Sequence, residues 1–213
     1  MNLERVLEIV EKQVKGSSAP VFTFEQVQTR DPFKVLVATI LSSRTKDEVT
    51  TVVAKRLFER VKSPSDLKRF STEELENLIY PVGFYRNKAK FLSGLPKALE
   101  RFSARVPSTL EELLTIPGVG RKTANLVLAR AFGKPAICVD THVHRLVNMW
   151  GFVRTKRPED TERALRKLLP KKKWSAVNPL LVSFGQSICR PSFHNCRICC
   201  LKDWCPKAKR EEK

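Results

Sequence analysis

The sequence has 213 residues, of which 42% are hydrophobic, so it can bury the core of one domain or of two small ones. Its 40 Lys and Arg residues against 22 Asp and Glu residues give a formal net charge of +18. No apolar run approaches the roughly 20 residues of a membrane span, and residues 1–5 lack the basic flank and apolar block of a signal peptide. We therefore expect an intracellular protein, cytoplasmic or nucleoid-associated, with no membrane partner. This net charge indicates that the protein binds a polyanion, although a solvated basic surface with no such partner is the alternative interpretation.

Helical periodicity dominates the chain from its first residues. Apolar residues recur at spacings of three and four in residues 3–14, 32–41, 49–61, 88–102, 121–132 and 174–188. Two candidate capping boxes, Ser71 with Glu74 and Ser108 with Glu111, mark helix starts. Prolines fall between these segments, and no strand alternation longer than a few residues appears. The pattern predicts an all-α fold.

A glycine turn precedes the helix predicted over residues 121–132, in the stretch Ile-Pro-Gly-Val-Gly-Arg-Lys-Thr-Ala of residues 116–124. Gly118 and Gly120 permit a tight turn and leave backbone N–H groups unshielded at the positive end of a helix, where an anion is favoured. Such a turn can bind a DNA phosphate, or it can exist for steric reasons alone. Lys122 follows in the first helical turn, and Asp140 comes after a connection that can fold back, so an amine and a carboxylate could converge there.

Five of the six cysteines lie near the end of the sequence, between residues 189 and 205. Four of them have six, two and five intervening residues, and these are Cys189, Cys196, Cys199 and Cys205. Disulfides are not needed by a chain with an ample core and no export signal, and zinc sites usually present two close cysteine pairs. A cubane iron–sulfur cluster fits the spacing better. Cys200 is then a spare neighbour, and Cys138 a small buried side chain.

The chain resembles the endonuclease III branch of the helix-hairpin-helix DNA glycosylases, from about residue 33 to residue 205. The resemblance is carried by the hairpin of residues 116–124, the Val-Asp-Thr-His segment of residues 139–142 and the cysteine spacing, which occur in that order. It implies a two-lobed helical fold that binds damaged or abasic double-stranded DNA and a 4Fe-4S cluster as a monomer. The expected domains are a six-helix domain, residues 28–135, and a cluster domain, residues 1–27 and 136–213.

The resemblance also implies roles for individual residues. Lys122 matches the family's lysine nucleophile, and Asp140 its catalytic carboxylate, which stabilises positive charge on the sugar and helps to take up the lysine proton. Partial burial near the helix start should favour the neutral amine. Each has a plainer alternative, because Lys122 could bind phosphate and Asp140 could cap the helix that Thr141 begins. His142 and His144 are as easily structural, and we leave both out of the catalytic set.

DNA contacts are expected from the hairpin and from two further loops, residues 41–47 and 83–88, called the insertion loops below. A base must leave the helix stack before it can be excised, and these loops should fill the gap. Arg44 stands where the family's bacterial pattern has glutamine, and Phe84 where it commonly has leucine; Phe84 could instead be a core aromatic. The expected DNA-binding residues are Arg44, Phe84, Arg86, Pro117, Gly118, Val119, Gly120 and Arg121.

These features together predict a base excision repair enzyme. It should remove damaged, oxidised pyrimidines and cleave the resulting abasic site by β-elimination through a lysine Schiff base. A thymine or uracil mismatch glycosylase is the alternative enzyme, and a non-catalytic DNA-binding redox sensor is the alternative from another class. Lys122 disfavours base removal alone, and a pure DNA-binding protein would have no use for Asp140.

Overall fold

The structure, a computed structural model, describes residues 1–208. Within these residues all regular secondary structure is helical, apart from an isolated bridge between Cys189 and His194. The predicted all-α fold class is therefore confirmed. The α-helices are α1 (Leu3–Val14), α2 (Pro20–Gln28), α3 (Pro32–Ser42), α4 (Asp47–Arg60), α5 (Thr72–Ile79), α6 (Tyr85–Glu100), α7 (Leu110–Leu113), α8 (Arg121–Phe132), α9 (Thr141–Met149), α10 (Pro158–Leu168) and α11 (Trp174–Ser187).

Local signals set several of the helix ends. Ser71 and Glu74 form the predicted capping box, in which the Ser71 hydroxyl accepts the Glu74 N–H at 3.1 Å. The box predicted at Ser108 is wrong, because the hydroxyl that caps α7 belongs to Thr109 and accepts the Glu112 N–H at 3.3 Å. Both registers place a hydroxyl three residues before a glutamate, so the choice between them is made by packing.

The chain forms two compact units. The middle unit is Thr23–Lys134, and the two-segment unit combines Met1–Phe22 with Pro135–Lys213 as far as the structure describes it. In the middle unit α3 packs against α8 and α5 against α6. In the two-segment unit α1 and α9 both pack against α11, and their core includes Leu7, Val10, Val143, Leu146, Val177 and Leu181. No helix within residues 1–208 is long and apolar enough to cross a membrane.

Candidate nucleic-acid interface and cysteine site

The glycine hairpin joins α7 to α8 in the middle unit. Gly118 has a φ of +81°, and a Cβ atom built there would lie 2.6 Å from the ring of Phe91, so both conformation and space demand glycine. Gly120 differs, since its φ is −90° and an added Cβ would meet nothing within 4 Å. It is the N-cap of α8, where it offers no side chain to the first N–H groups. Those donors are left open to an anion.

Lys122 lies in the first turn of α8 and is exposed. Its neighbours Thr123 and Ala124 are buried, and this helical register directs Lys122 outward. The prediction that Lys122 is partly buried is therefore wrong for the protein without DNA. Within residues 1–208 the Lys122 amine makes no hydrogen bond or ion pair, so it is available to a ligand.

Asp140 belongs to the two-segment unit and begins α9. Its Oδ1 accepts the Val143 N–H at 2.8 Å, so the helix-cap role considered from the sequence is observed. The cap fixes the side-chain rotamer, and Oδ2 accepts no bond from the described residues. His144 pairs with the Thr161 hydroxyl at 2.7 Å, which agrees with the structural alternative considered for it. His142 is held against Gly185, where a Cβ would lie 2.3 Å from the imidazole Nδ1.

The insertion loops meet beside the hairpin. Phe84 is 58% exposed, so the interpretation of it as a core aromatic is wrong. The Arg44 guanidinium lies over the Phe84 ring, 5.4 Å from its centroid. Both residues, together with Gly118 and the buried Lys88, line one open cavity. The structure thus brings together three of the predicted DNA-binding positions, and adds Lys88, which the sequence analysis did not single out.

The remaining predicted DNA-binding residues lie in the second insertion loop, in the glycine hairpin and at the start of α8. Arg86 stacks over the Tyr85 ring at 5.3 Å and approaches Glu76 at 3.8 Å, so its charge is partly engaged within the chain. Pro117 is exposed and Val119 is buried, which leaves the hairpin backbone rather than the valine side chain for a ligand. Arg121 is partly buried at the start of α8.

Four thiols line one pocket in the two-segment unit, and we call these the cluster cysteines: Cys189, Cys196, Cys199 and Cys205. The rest of the lining is formed by the apolar side chains of Met149, Trp150, Phe184 and Ile188 and by His194, Asn195 and Lys207. Cys200 is exposed and does not line the pocket, and Cys138 is buried elsewhere. None of the six cysteines forms a disulfide with another described residue.

The distances between the side chains of this pocket bear on the kind of metal group that it could hold. No three potential ligands within residues 1–208 lie close enough together to hold a single metal ion. Sulfurs around one zinc lie within about 4 Å of each other, whereas each sulfur around a four-iron cluster binds a different iron, so the sulfurs stand farther apart. Burial raises the pKa of Cys189, and the Arg145 guanidinium, 3.6 Å from its Sγ, opposes that shift and can stabilise a thiolate.

Comparison with known proteins agrees with this architecture. The family model "HhH-GPD superfamily base excision DNA repair protein" matches residues 37–171. The chain is 48% identical to Endonuclease III of Thermotoga maritima over 184 residues, which cover 86% of each chain. It is 40% identical to Endonuclease III homolog 2, chloroplastic, of Arabidopsis thaliana, over 99% of this chain and 59% of that longer relative.

A solved structure is similar along nearly the whole chain. The structure described as a trapped Endonuclease III–DNA covalent intermediate, an estranged-adenine complex, has a TM-score of 0.90 and 35% identity, covering 99% of this chain and 97% of that one. The extent of both the family match and the sequence identity identifies the family. The chain belongs to the HhH-GPD superfamily of base excision DNA repair proteins.

Proposed function

We propose that Lys122 is the nucleophile with which this base excision repair enzyme, a DNA glycosylase and abasic-site lyase, attacks the damaged nucleotide. The observation that carries the proposal is an exposed, unpaired amine directly after the uncapped start of α8. The neutral amine forms a bond to the anomeric carbon as the bond from sugar to base breaks, and the base leaves with the electron pair. The attached nitrogen loses a proton, and the bond from the anomeric carbon to the ring oxygen then breaks, with the ring oxygen taking up a proton, to give the Schiff base. Loss of a proton from the 2′ carbon then drives β-elimination, in which the 3′ carbon–oxygen bond breaks and the phosphate leaves with the electron pair.

Asp140 is proposed as the carboxylate that stabilises positive charge on the sugar and assists removal of the lysine proton. Its Oδ1 is committed to capping α9, which holds the side chain in one rotamer, while Oδ2 is left for this task. A fixed carboxylate needs no reorganisation as charge develops. The cap and the catalytic role are therefore compatible in one residue.

The DNA is proposed to bind through backbone phosphates at the hairpin and through the insertion loops. A net charge of +18 favours duplex DNA of any sequence, and the open N–H groups after Gly120 suit a single phosphate. Arg44 and Phe84 are proposed to enter the space left by the extruded base, because an exposed aromatic ring stacked with a guanidinium can replace base stacking. Oxidised pyrimidines in chromosomal DNA are the proposed substrates.

The cluster cysteines are proposed to hold a 4Fe-4S cluster, as expected for this family. Four thiols around one largely apolar pocket, with the Arg145 guanidinium beside Cys189, support this assignment. With all four irons ligated by cysteine, the cluster would have no open position for activating water, so its proposed role is to fix the loop that carries Arg190, Arg197 and Lys202.

Covalent trapping tests the nucleophile. Borohydride should reduce the Schiff base and link the protein to a duplex containing an abasic site, whereas Lys122→Gln should form no adduct while still binding DNA. Lys90→Gln, a change at an exposed lysine on α6, is the matched control and should trap normally. Undiminished trapping by Lys122→Gln would refute the assignment.

A companion variant tests the carboxylate. Asp140→Asn keeps the helix cap, since asparagine caps as well as aspartate, and removes only the charge. We expect single-turnover base excision to fall by on the order of a hundredfold or more, with unchanged folding and DNA binding. An unaltered excision rate would leave Asp140 as a helix cap alone. Assaying the unaltered protein on duplexes with one defined oxidised pyrimidine or one mismatched thymine separates the proposed substrate from the mismatch alternative.

A further inference from the structure

Lys88 is a buried lysine in the first turn and a half of α6, and the proposed function does not use it. It is 4% exposed. Its Nζ donates to the carbonyl oxygens of Leu41 and Ser43, each at 2.7 Å, and to the Thr45 hydroxyl at 3.1 Å. An ammonium group has three N–H donors, and these three acceptors occupy them all. Every acceptor lies in the first insertion loop.

The charge of Lys88 is compensated by a helix end. No carboxylate pairs with it among the described residues, and burial alone lowers its pKa, to about 8. Leu41 lies in the last turn of α3 and Ser43 directly follows that helix, so their carbonyls belong to the negative end of the helix dipole. Lys88, which belongs to α6, therefore caps the C-terminal end of α3 through its side chain. Burying a charge without a carboxylate partner is costly, and here the three hydrogen bonds and the helix end offset that cost.

The two insertion loops are interlocked at the same place. The Gly83 N–H donates to the Thr45 hydroxyl at 3.0 Å, and a Cβ built on Gly83 would lie 2.5 Å from the Arg44 carbonyl oxygen. Arg44 and Phe84 adopt left-handed conformations, with φ values of 53° and 57°. Such conformations in residues other than glycine persist where the surroundings fix them. Lys88 is the buried group that joins the two backbones at this point.

We propose that Lys88 is a positioning residue, which holds Arg44 and Phe84 side by side so that they enter the DNA together when a base is extruded. The inference rests on the proposed function of the insertion loops. Lys88 itself does not touch DNA; its three bonds fix the backbone on which the two contacting side chains stand. It should therefore matter for a base that must be extruded, and much less for an abasic site, which has no base to remove from the stack.

Lys88→Met tests this proposal, because methionine keeps the length of the side chain but has neither charge nor donor. Lys90→Met, at an exposed lysine on the same helix, is the matched control. Single-turnover rates are measured for a well-paired lesion and for an abasic site. We expect the ratio of excision to abasic-site cleavage to fall by on the order of tenfold or more in Lys88→Met, and to stay unchanged in the control. A fluorescent base analogue beside the lesion should report reduced extrusion.

A second variant covers the case in which Lys88→Met folds poorly. Thr45→Val removes one acceptor of Lys88 and the partner of Gly83 while leaving the buried lysine in place. We expect it to change the ratio in the same direction by a smaller factor. If Thr45→Val and a folded Lys88→Met lower both rates equally, or neither rate, Lys88 is not a positioning residue.

A double-mutant cycle separates positioning from general destabilisation. In a protein already carrying Arg44→Ala and Phe84→Ala, Lys88→Met should leave the ratio unchanged, because no side chains remain to be positioned. A further fall of the same size would overturn the inference. If the unaltered protein neither excises the lesion nor cleaves the abasic site, the proposed function itself fails, and that outcome is distinct from any result on Lys88.

Discussion

Replacing the two hairpin glycines by alanine, one at a time, should separate folding from DNA binding. Gly118→Ala forces a residue with a Cβ atom into a left-handed conformation, which costs roughly 1–2 kcal/mol. It also places that Cβ atom 2.6 Å from the Phe91 ring, and overpacking of this kind typically costs about 1–3 kcal/mol. The loss of unfolded-state entropy offsets roughly 0.4–1 kcal/mol. We expect Gly118→Ala to lower the free energy of unfolding by about 2–4 kcal/mol.

Gly120→Ala should show the opposite pattern. The backbone conformation at Gly120 suits alanine, and the added Cβ atom would meet no protein atom. Alanine lowers the entropy of the unfolded chain but caps a helix less well than glycine. These two effects oppose each other, so the free energy of unfolding should change by less than about 1 kcal/mol. The new methyl group would instead stand beside the uncapped N–H groups. Loss of one charge-assisted bond to phosphate, worth about 1.5–3 kcal/mol, would weaken DNA binding by roughly ten- to a hundredfold.

Urea unfolding and fluorescence anisotropy with an undamaged duplex measure these two effects independently. Anisotropy must be recorded under conditions in which Gly118→Ala is still folded. The reasoning is refuted if Gly118→Ala is as stable as the unaltered protein, or if Gly120→Ala binds DNA with unchanged affinity.

The cysteine and lysine assignments make two further predictions. Protein purified without oxygen should be brown, with about four irons and four sulfides per chain, and Cys200→Ser should keep them while serine at any cluster cysteine should lose iron; one zinc and no sulfide would contradict this. Lys88 is protonated in folded and unfolded chains below pH 8, and between about 8 and 10.5 it is neutral only when folded. The free energy of unfolding should therefore rise, relative to that of Lys88→Met, by on the order of 3 kcal/mol as the pH increases through this interval. Denaturation at several pH values measures this, and a constant difference would show that burial does not shift the lysine.

Helices with strong local signals could be predicted from the sequence. α8 begins and ends where predicted, because Gly120 precedes it and Gly133 follows it with a φ of 61°. α10 could not be found from apolar spacing, since its buried face includes the polar residues Thr161 and Glu162. The Arg166 guanidinium forms an ion pair with the Glu162 carboxylate at 2.8 Å, which offsets the cost of burying it. Only the folded arrangement reveals such a compensation.

Two features of the fold, the exact start of α7 and the burial of Lys88, could not be predicted from local sequence patterns. The sequence predicts the start of α7 one residue too early, because Ser108 and Thr109 carry the same local signal; in the structure Leu113 is fully buried while Leu114 is 41% exposed. Lys88 looks like any surface lysine in a helical pattern. Its acceptors lie more than 40 residues earlier in the chain, so no local pattern indicates its burial.

The two-segment unit has a consequence for the order in which the protein matures. The Gln13 side chain of α1 donates to the Ile198 carbonyl at 2.6 Å and accepts the Cys200 N–H at 3.0 Å. α1 therefore has hydrogen-bond partners in a loop that is synthesised 185 residues or more after it, while the middle unit is contiguous and can fold during translation. The apolar face of α1 packs against α11, so it stays uncovered until α11 has been made, and the proposed cluster cannot be loaded before the loop that carries Cys196, Cys199 and Cys205 has followed.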